Sequence, residues 1–203
     1  MNAHISVPSP VNEPILAYAP GSPERRELKA KLAELRGKQI EIPLRIGGKE
    51  VRTGRQADCR PPHDHAVLLG RYHKAGKKEV QAAISSALKA RKEWSATPFH
   101  ARAAILLKAA DLLAGPWRST LNAATMLCQS KNAFQAEIDA AVELVDFWRF
   151  NPHFAQGIYA QQPSSPRGQW NYVEYRALEG FVFALTPFNF TSIAGNLPTA
   201  PAL

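Results

Sequence analysis

Apolar and polar positions change period several times along this chain, and each change predicts an element. Residues 1–22 hold Pro8, Pro10, Pro14 and Pro20 with no sustained periodicity, which predicts an extended arm lying over another part of the molecule. Ser22-Pro23 supplies an N-cap and a proline at the first helical position, and Leu28, Leu32 and Leu35 recur at helical spacing up to Gly37. From Ile40 to Ile46 the period becomes two, Gly47-Gly48 suits a tight turn, and Lys49 to Val51 can return, so a β-hairpin is expected near 40–51. Pro43 places that hairpin at a sheet edge. Residues 77–94 put Val80, Ala83, Ile84, Ala87, Leu88, Arg91 and Trp94 on one helical stripe. Thr97-Pro98 restarts the chain as N-cap and N1 of a helix carrying Ala101, Ile105, Leu106, Ala109, Leu112 and Leu113 and ending at Gly115-Pro116. Further helices are expected from about Trp117 to Cys128 and from about Phe134 to Phe150, the latter stopped by Asn151-Pro152.

After Gln161 the character changes. Residues 162–168 are rich in turn formers, and Trp170 to Tyr175 alternates like an exposed strand. Phe181-Val182-Phe183-Ala184-Leu185 is apolar without interruption, as expected of a strand covered on both faces in a parallel sheet. Such a sheet needs more strands than this chain offers, so the expectation is that the chain stops inside a domain, at the start of the first crossover. The fold class expected is therefore α/β. It comprises an arm (1–22), a helix-rich part (23–161), an exposed strand or oligomerisation-type arm (162–178), and the first strand with the start of its crossover (179–203).

Composition narrows the function. The chain has 203 residues, 45% of them hydrophobic, and two cysteines, which excludes a disordered tail and a disulfide-dense miniprotein. Its net charge of +8 comes from residues 1–100, with 18 basic against 10 acidic side chains, while residues 101–203 carry 7 of each. The basic residues alternate with acids, as in Glu24-Arg25-Arg26-Glu27, which is the pattern of solvated helix faces; no nucleic-acid-binding motif accompanies them, so nucleic acid is not an expected partner. No apolar run reaches the ~18 residues of a membrane span, and the first twenty residues contain no Lys or Arg, so neither a secretory signal nor a mitochondrial presequence is visible. A cytoplasmic location with reduced thiols is the expectation, with the mitochondrial matrix as alternative.

Candidate chemistry is sparse. Cys59, His63 and His65 form a C-x3-H-x-H cluster without zinc spacing or a fourth ligand, and are read as loop residues; no metal is expected. Cys128, beside Met126 and Leu127, is read as a buried structural thiol. No G-x-S-x-G, P-loop or G-x-G-x-x-G occurs. Leu185-Thr186-Pro187-Phe188-Asn189-Phe190, by contrast, follows the apolar run directly, where α/β sheets bind ligands. Asn189 there either caps a turn or offers an amide N–H to a developing oxyanion.

Residues 186–203, Thr-Pro-Phe-Asn-Phe-Thr-Ser-Ile-Ala-Gly-Asn-Leu-Pro-Thr-Ala-Pro-Ala-Leu, resemble the motif closing the first cofactor-domain strand of the aldehyde dehydrogenase superfamily. The segments Asn12 to Tyr18, Gly21 to Arg25, Ala90 to Trp94 and Gln135 to Ala141 are similar to its 1-pyrroline-5-carboxylate dehydrogenase branch. The resemblance implies NAD-dependent oxidation of L-glutamate γ-semialdehyde to L-glutamate in proline breakdown, with a small aldehyde as substrate and a homo-oligomeric full-length enzyme. It makes Asn189 the oxyanion donor, lets Leu185, Thr186, Pro187 and Phe188 line the nicotinamide side of NAD, and turns Glu143 and Phe190 toward the substrate channel. The family's nucleophilic cysteine, general-base glutamate and ribose-binding lysine fall beyond Leu203, and neither Cys59 nor Cys128 matches the nucleophile's position. A truncated, inactive portion is therefore expected, with a non-catalytic module pairing with a full-length dehydrogenase as the alternative. The purified 203-residue chain is expected to make no NADH from pyrroline carboxylate; absorbance at the NADH band rising faster than in buffer would contradict this.

Overall fold

The computed structural model describes residues 5–203; the first four positions of the arm lie outside the described residues. Helix α1 spans Pro23–Gly37, opened by Ser22, whose Oγ accepts from the Arg25 backbone N–H at 3.3 Å. Strands β1 (Ile40–Ile42), β2 (Leu44–Ile46), β3 (Lys49–Val51), β4 (Gln56–Cys59) and β5 (Gly70–His73) follow. The helical layer consists of α2 (Lys77–Ala96), α3 (Phe99–Ala114), α4 (Arg118–Gln129), the short α5 (Ala133–Ala136), a π-helical stretch Glu137–Val142, and α6 (Glu143–Ala160). A 3-10 turn Ile193–Gly195 and a one-turn α7 (Asn196–Thr199) lie near the end. Among the described residues no helix is long and apolar enough to cross a membrane.

The expected hairpin is smaller than its sequence pattern. Within 40–51 only β2 and β3 pair, antiparallel with Leu44 opposite Val51, around Gly47 and Gly48 at φ +58° and +76°. Pro43 splits the alternating run because it has no N–H to donate, and β1 instead joins a separate sheet of order β1-β5-β4. There β1 lies parallel to β5, Ile40 opposite Gly70, and β4 antiparallel to it. A Cβ on residue 70 would sit 2.3 Å from the Ile40 carbonyl oxygen, so the close approach of β1 demands glycine. Strands β4 and β5 are short and polar, and hydrophobic patterning did not announce them.

Helix α6 runs through Pro152 rather than stopping there. Proline removes one intrahelical hydrogen bond, but Pro152 is fully buried and the helix beyond it has tertiary partners. Tyr159 packs on Phe99 with ring centroids 5.1 Å apart, Trp148 Nε1 donates to Thr199 Oγ1 at 3.2 Å, and Asn151 Nδ2 donates to Asn196 Oδ1 at 2.6 Å. Residue 98 is the cap of α3 instead of its first turn. Helix α3 is apolar on more than one side, and contact with α6 selects Ala103, Leu106, Ala110 and Leu113 for burial while Ile105 and Leu112 stay exposed. The stripe of α2 is uncovered, with Val80 and Leu88 about half exposed and no residue of that helix buried.

The two late strands do not form. Residues 162–178, the expected exposed strand, and Phe181 to Leu185, the expected sheet strand, carry no regular element. A strand exists through the ladder of its neighbours, and among the described residues no other segment lies in register with either. The apolar residues consequently remain in water, Phe183 at 78%, Leu185 at 80% and Phe188 at 96% exposure.

The arm is tied down by a buried ionic network. Glu137, the first residue of the π-helical stretch, is fully buried. It accepts from Tyr18 Oη at 2.7 Å, Asn122 Nδ2 at 2.8 Å, the Leu16 N–H at 2.8 Å and Arg118 Nε at 3.2 Å. Arg118 also pairs with Glu13 and donates to the Pro14 carbonyl at 2.6 Å, while Arg149 holds the other oxygen of Glu13 at 2.8 Å. Farther out, Asp146 accepts from the Glu13 N–H and from Asn12 Nδ2, both at 2.7 Å. Tyr18, Leu28 and Ala123 then close an apolar cluster between arm, α1 and α4.

Burial opposes the charge on Glu137, but Arg118, the Leu16 N–H and the Tyr18 hydroxyl outweigh it and hold the carboxyl below its ordinary value of 4.5. A carboxyl whose pKa falls on folding stabilises the native state above its unfolded value, and that contribution disappears as the pH drops through the folded one. Acid unfolding should therefore set in below about pH 4.5 and be shallower in Glu137→Gln. Arg118→Met leaves a buried carboxylate unpaired and is expected to lower stability by about 3–5 kcal/mol; urea denaturation of wild type and variant measures both effects.

Candidate functional site

The site begins where the apolar run ends. Leu185, Thr186, Pro187, Phe188 and Asn189 form an exposed segment, followed by half-buried Phe190 and buried Ser192. This segment is held from beneath by the end of α4 and by the π-helical stretch. The Gln129 carboxamide grips its backbone: the nitrogen donates to the Asn189 carbonyl at 3.0 Å, and the oxygen accepts from the N–H groups of Phe190 at 3.2 Å and Thr191 at 2.9 Å and from Thr191 Oγ1 at 3.0 Å. That orientation of the amide is the one that satisfies both of its ends. One turn of chain farther on, the Ser192 hydroxyl donates to the Ala140 carbonyl inside the widened helix. With the backbone held from its own carbonyl onward, Asn189 projects from an anchored loop, as a preorganised donor requires.

Phe190 and Glu143 share a neighbour. Lys131 Nζ stands 4.3 Å from the Phe190 ring centroid and pairs with Asp139. Glu143, the first residue of α6, feels the same group: partial burial and the nearby Asp139 push its carboxyl above the ordinary range, Lys131 opposes them, and Asp146 adds to the rise. Residues 137–142 form a π-helical stretch, a feature frequent at functional sites, and both Asp139 and Glu143 take their place from it. The structure thus places Phe190 against Lys131, whose charge Glu143 also feels, with Asn189 next to Phe190 in the chain. It leaves Leu185, Thr186, Pro187 and Phe188 open to solvent, with Phe188 almost wholly exposed. Sequence reasoning missed Gln129 and Lys131; the faint signal was a run of polar residues at the end of α4, which ordinarily reads as a cap.

The Cys59, His63 and His65 cluster does not converge on one point. His63 Nδ1 lies 2.7 Å from Ser130 Oγ, the His65 carbonyl accepts from Arg60 at 2.9 Å, and among the described residues no group of three metal-type ligands occurs. Cys128, expected to be buried, belongs to the exposed end of α4, and its sulfur faces Cys59.

A model of the aldehyde dehydrogenase family matches residues 50–203, well over half of the chain. The chain belongs to the aldehyde dehydrogenase family. Within it, the chain is 52% identical over 203 residues to the delta-1-pyrroline-5-carboxylate dehydrogenase of Agaricus bisporus, covering 99% of this chain and 37% of that protein. The human protein named delta-1-pyrroline-5-carboxylate dehydrogenase, mitochondrial, is 47% identical over 200 residues, 98% of this chain and 36% of its own length. A crystal structure of the delta-pyrroline-5-carboxylate dehydrogenase from Mycobacterium tuberculosis bound with NAD superposes with a TM-score of 0.96 at 54% identity, covering 100% of this chain and 38% of that one. This aldehyde dehydrogenase chain therefore spans little more than a third of the length of the relatives it matches.

Loss of the Gln129 clamp should release the loop without unfolding the helices. In Gln129→Ala, amide exchange at Phe190 and Thr191 is expected to speed up by roughly tenfold or more while α3 and α6 keep their protection. Hydrogen-exchange mass spectrometry of residues 185–195 against 99–114 and 143–160 reads the difference.

Proposed function

We propose that these 203 residues serve an NAD-dependent dehydrogenase that oxidises L-glutamate γ-semialdehyde, the open form of 1-pyrroline-5-carboxylate, to L-glutamate. The observation that carries the reading is the whole-chain likeness to dehydrogenases of that name, and the held loop around Asn189 supports it. Nucleophilic attack on the aldehyde carbon turns the carbonyl oxygen into an oxyanion, and the Asn189 amide N–H is the group on this chain suited to receive it. Phe190, held against Lys131, supplies an apolar wall beside that oxygen, and Glu143, its carboxyl raised by burial and by Asp139, borders the same region.

The cofactor fits in part. Leu185, Thr186, Pro187 and Phe188 are exposed and adjacent to Asn189, so they suit the flat, largely apolar nicotinamide. NAD, when bound, accepts the hydride that leaves the former aldehyde carbon. No glycine-rich phosphate cradle accompanies them among the described residues, and the proposal assigns the adenosine half of the cofactor to other parts of the enzyme. It also assigns the nucleophile elsewhere. Desolvation of the Cys128 sulfur, followed by the neighbouring Cys59, pushes that thiol up to about 12, which leaves little thiolate at neutral pH.

Trp170 at 84% exposure, together with Phe183, Leu185 and Phe188, favours a second reading in which residues 162–188 dock onto a longer dehydrogenase or a second subunit. Under either reading the surface is covered in the working assembly, for which we propose a homo-oligomer. The proposed compartment is the cytoplasm or, as in the relatives named mitochondrial, the matrix. In a dehydrogenase carrying these residues together with the nucleophile, Asn189→Ala is expected to lower kcat by about 10²–10³-fold with KM nearly unchanged. Steady-state NADH formation measures it, and an unaltered kcat would remove Asn189 from the chemistry.

A further inference from the structure

The chain has two cysteines, 69 positions apart, and the fold brings their sulfurs to 4.0 Å. Cys59 is the last residue of β4 and Cys128 the penultimate residue of α4, so each stands at the end of an element, where a side chain can turn and the backbone can yield. The approach has a second anchor. His63, four residues after Cys59, places Nδ1 2.7 Å from the Oγ of Ser130, two residues after Cys128. Ser130 itself has φ +59°, the left-handed conformation that ends α4. The loop after β4 is thus docked on the helix end by an independent contact. Closing the sulfurs to the ~2.05 Å of a disulfide requires about 2 Å of movement, within reach of side-chain rotation at the ends of two elements. Cys128 is exposed and Cys59 half-buried, so a small oxidant can reach the pair.

We propose that Cys59 and Cys128 are an oxidative modification site, forming an intramolecular disulfide with a peroxide as the two-electron oxidant. Cys59 is taken as the sulfur oxidised first, and exchanging the two cysteines leaves the balance unchanged. The Cys59 thiolate attacks one peroxide oxygen, the O–O bond breaks, and the departing hydroxide takes up a proton as water, leaving a sulfenic acid on Cys59. The Cys128 sulfur then attacks the Cys59 sulfur. The S–S bond forms, the S–O bond breaks, and the Cys128 proton leaves with the hydroxyl as a second water. In sum, two thiols and one hydrogen peroxide give one disulfide and two waters. The bond ties the first sheet to the helix end from which the next residue, Gln129, grips the loop at 189–191. This inference does not depend on the dehydrogenase reading.

The test uses the full 203-residue chain, reduced, exposed to a small excess of hydrogen peroxide at low protein concentration, alkylated, and digested without reductant. The expected result is one peptide pair joining Cys59 to Cys128 in the monomer, with both free thiols lost together and the mass lowered by two hydrogens. Cys59→Ser and Cys128→Ser should each abolish the pair, and denaturing the chain in guanidinium before oxidation should cut its yield several-fold. Disulfides found only between chains would overturn the proposal. So would oxidation of either cysteine to the sulfinic acid without cross-linking, or a yield equal in the folded and unfolded chain.

Discussion

A carboxylate with no access to water has to be matched where it lies, and Glu137 is matched by groups from two other parts of the chain. Leu16 and Tyr18 come from the arm, Arg118 and Asn122 from the first two turns of α4, and the carboxylate itself from the start of the widened helix. None of these segments can shift alone without leaving a charge or a buried donor unpaired. The arm therefore lies along the helical layer despite having no regular structure of its own, and α1 is drawn in behind it through Tyr18 and Leu28. Asn122 Oδ1 is the one buried acceptor of this group without a partner.

The same network leads to the site. Glu137 anchors the beginning of the π-helical stretch, which supplies the Ala140 carbonyl under Ser192 and Asp139 beside Lys131 and leads directly into Glu143. The end of α4, whose beginning carries Arg118, supplies Gln129. The loop bearing Asn189 is thus held by two elements whose far ends meet at one buried ion pair. Rigidity reaches the candidate donor through packed helices rather than through strand pairing.

What the helical layer does not provide is cover. The open stripe of α2 and the exposed side chains from Trp170 to Phe188 show apolar area of a kind that folded proteins rarely leave in water. The carbonyls of Leu178, Ala202 and Leu203 accept from Arg91, Trp94 and Arg102, so the last segment is pinned to α2 and α3 by its backbone while Phe183, Leu185 and Phe188 face outward. A sheet strand is stabilised by strands on either side of it and by helices above and below, and among the described residues no strand pairs with 181–185.

Local signals in the sequence determined the helices. Ser22-Pro23, Gly115 and the 3.6-residue spacing of leucines and alanines act within a turn or two, and the structure places α1, α2, α3 and α4 within a residue or two of where they point. The motif at 186–203 likewise pointed to the family and to the loop of interest, because a short contiguous string carries it. Tertiary structure decided everything that rests on partners distant in sequence. Pro152 stays inside α6 because Phe99, Asn196 and Thr199 reward the turns around it. Ile40 to Ile42 leaves the hairpin because β5 offers it a parallel edge. Phe181 to Leu185 has the composition of a strand and no ladder. Gln129 and Glu137 look like ordinary surface residues of a helix until the loop and the arm fold against them, since a polar side chain declares its role only through the groups that meet it.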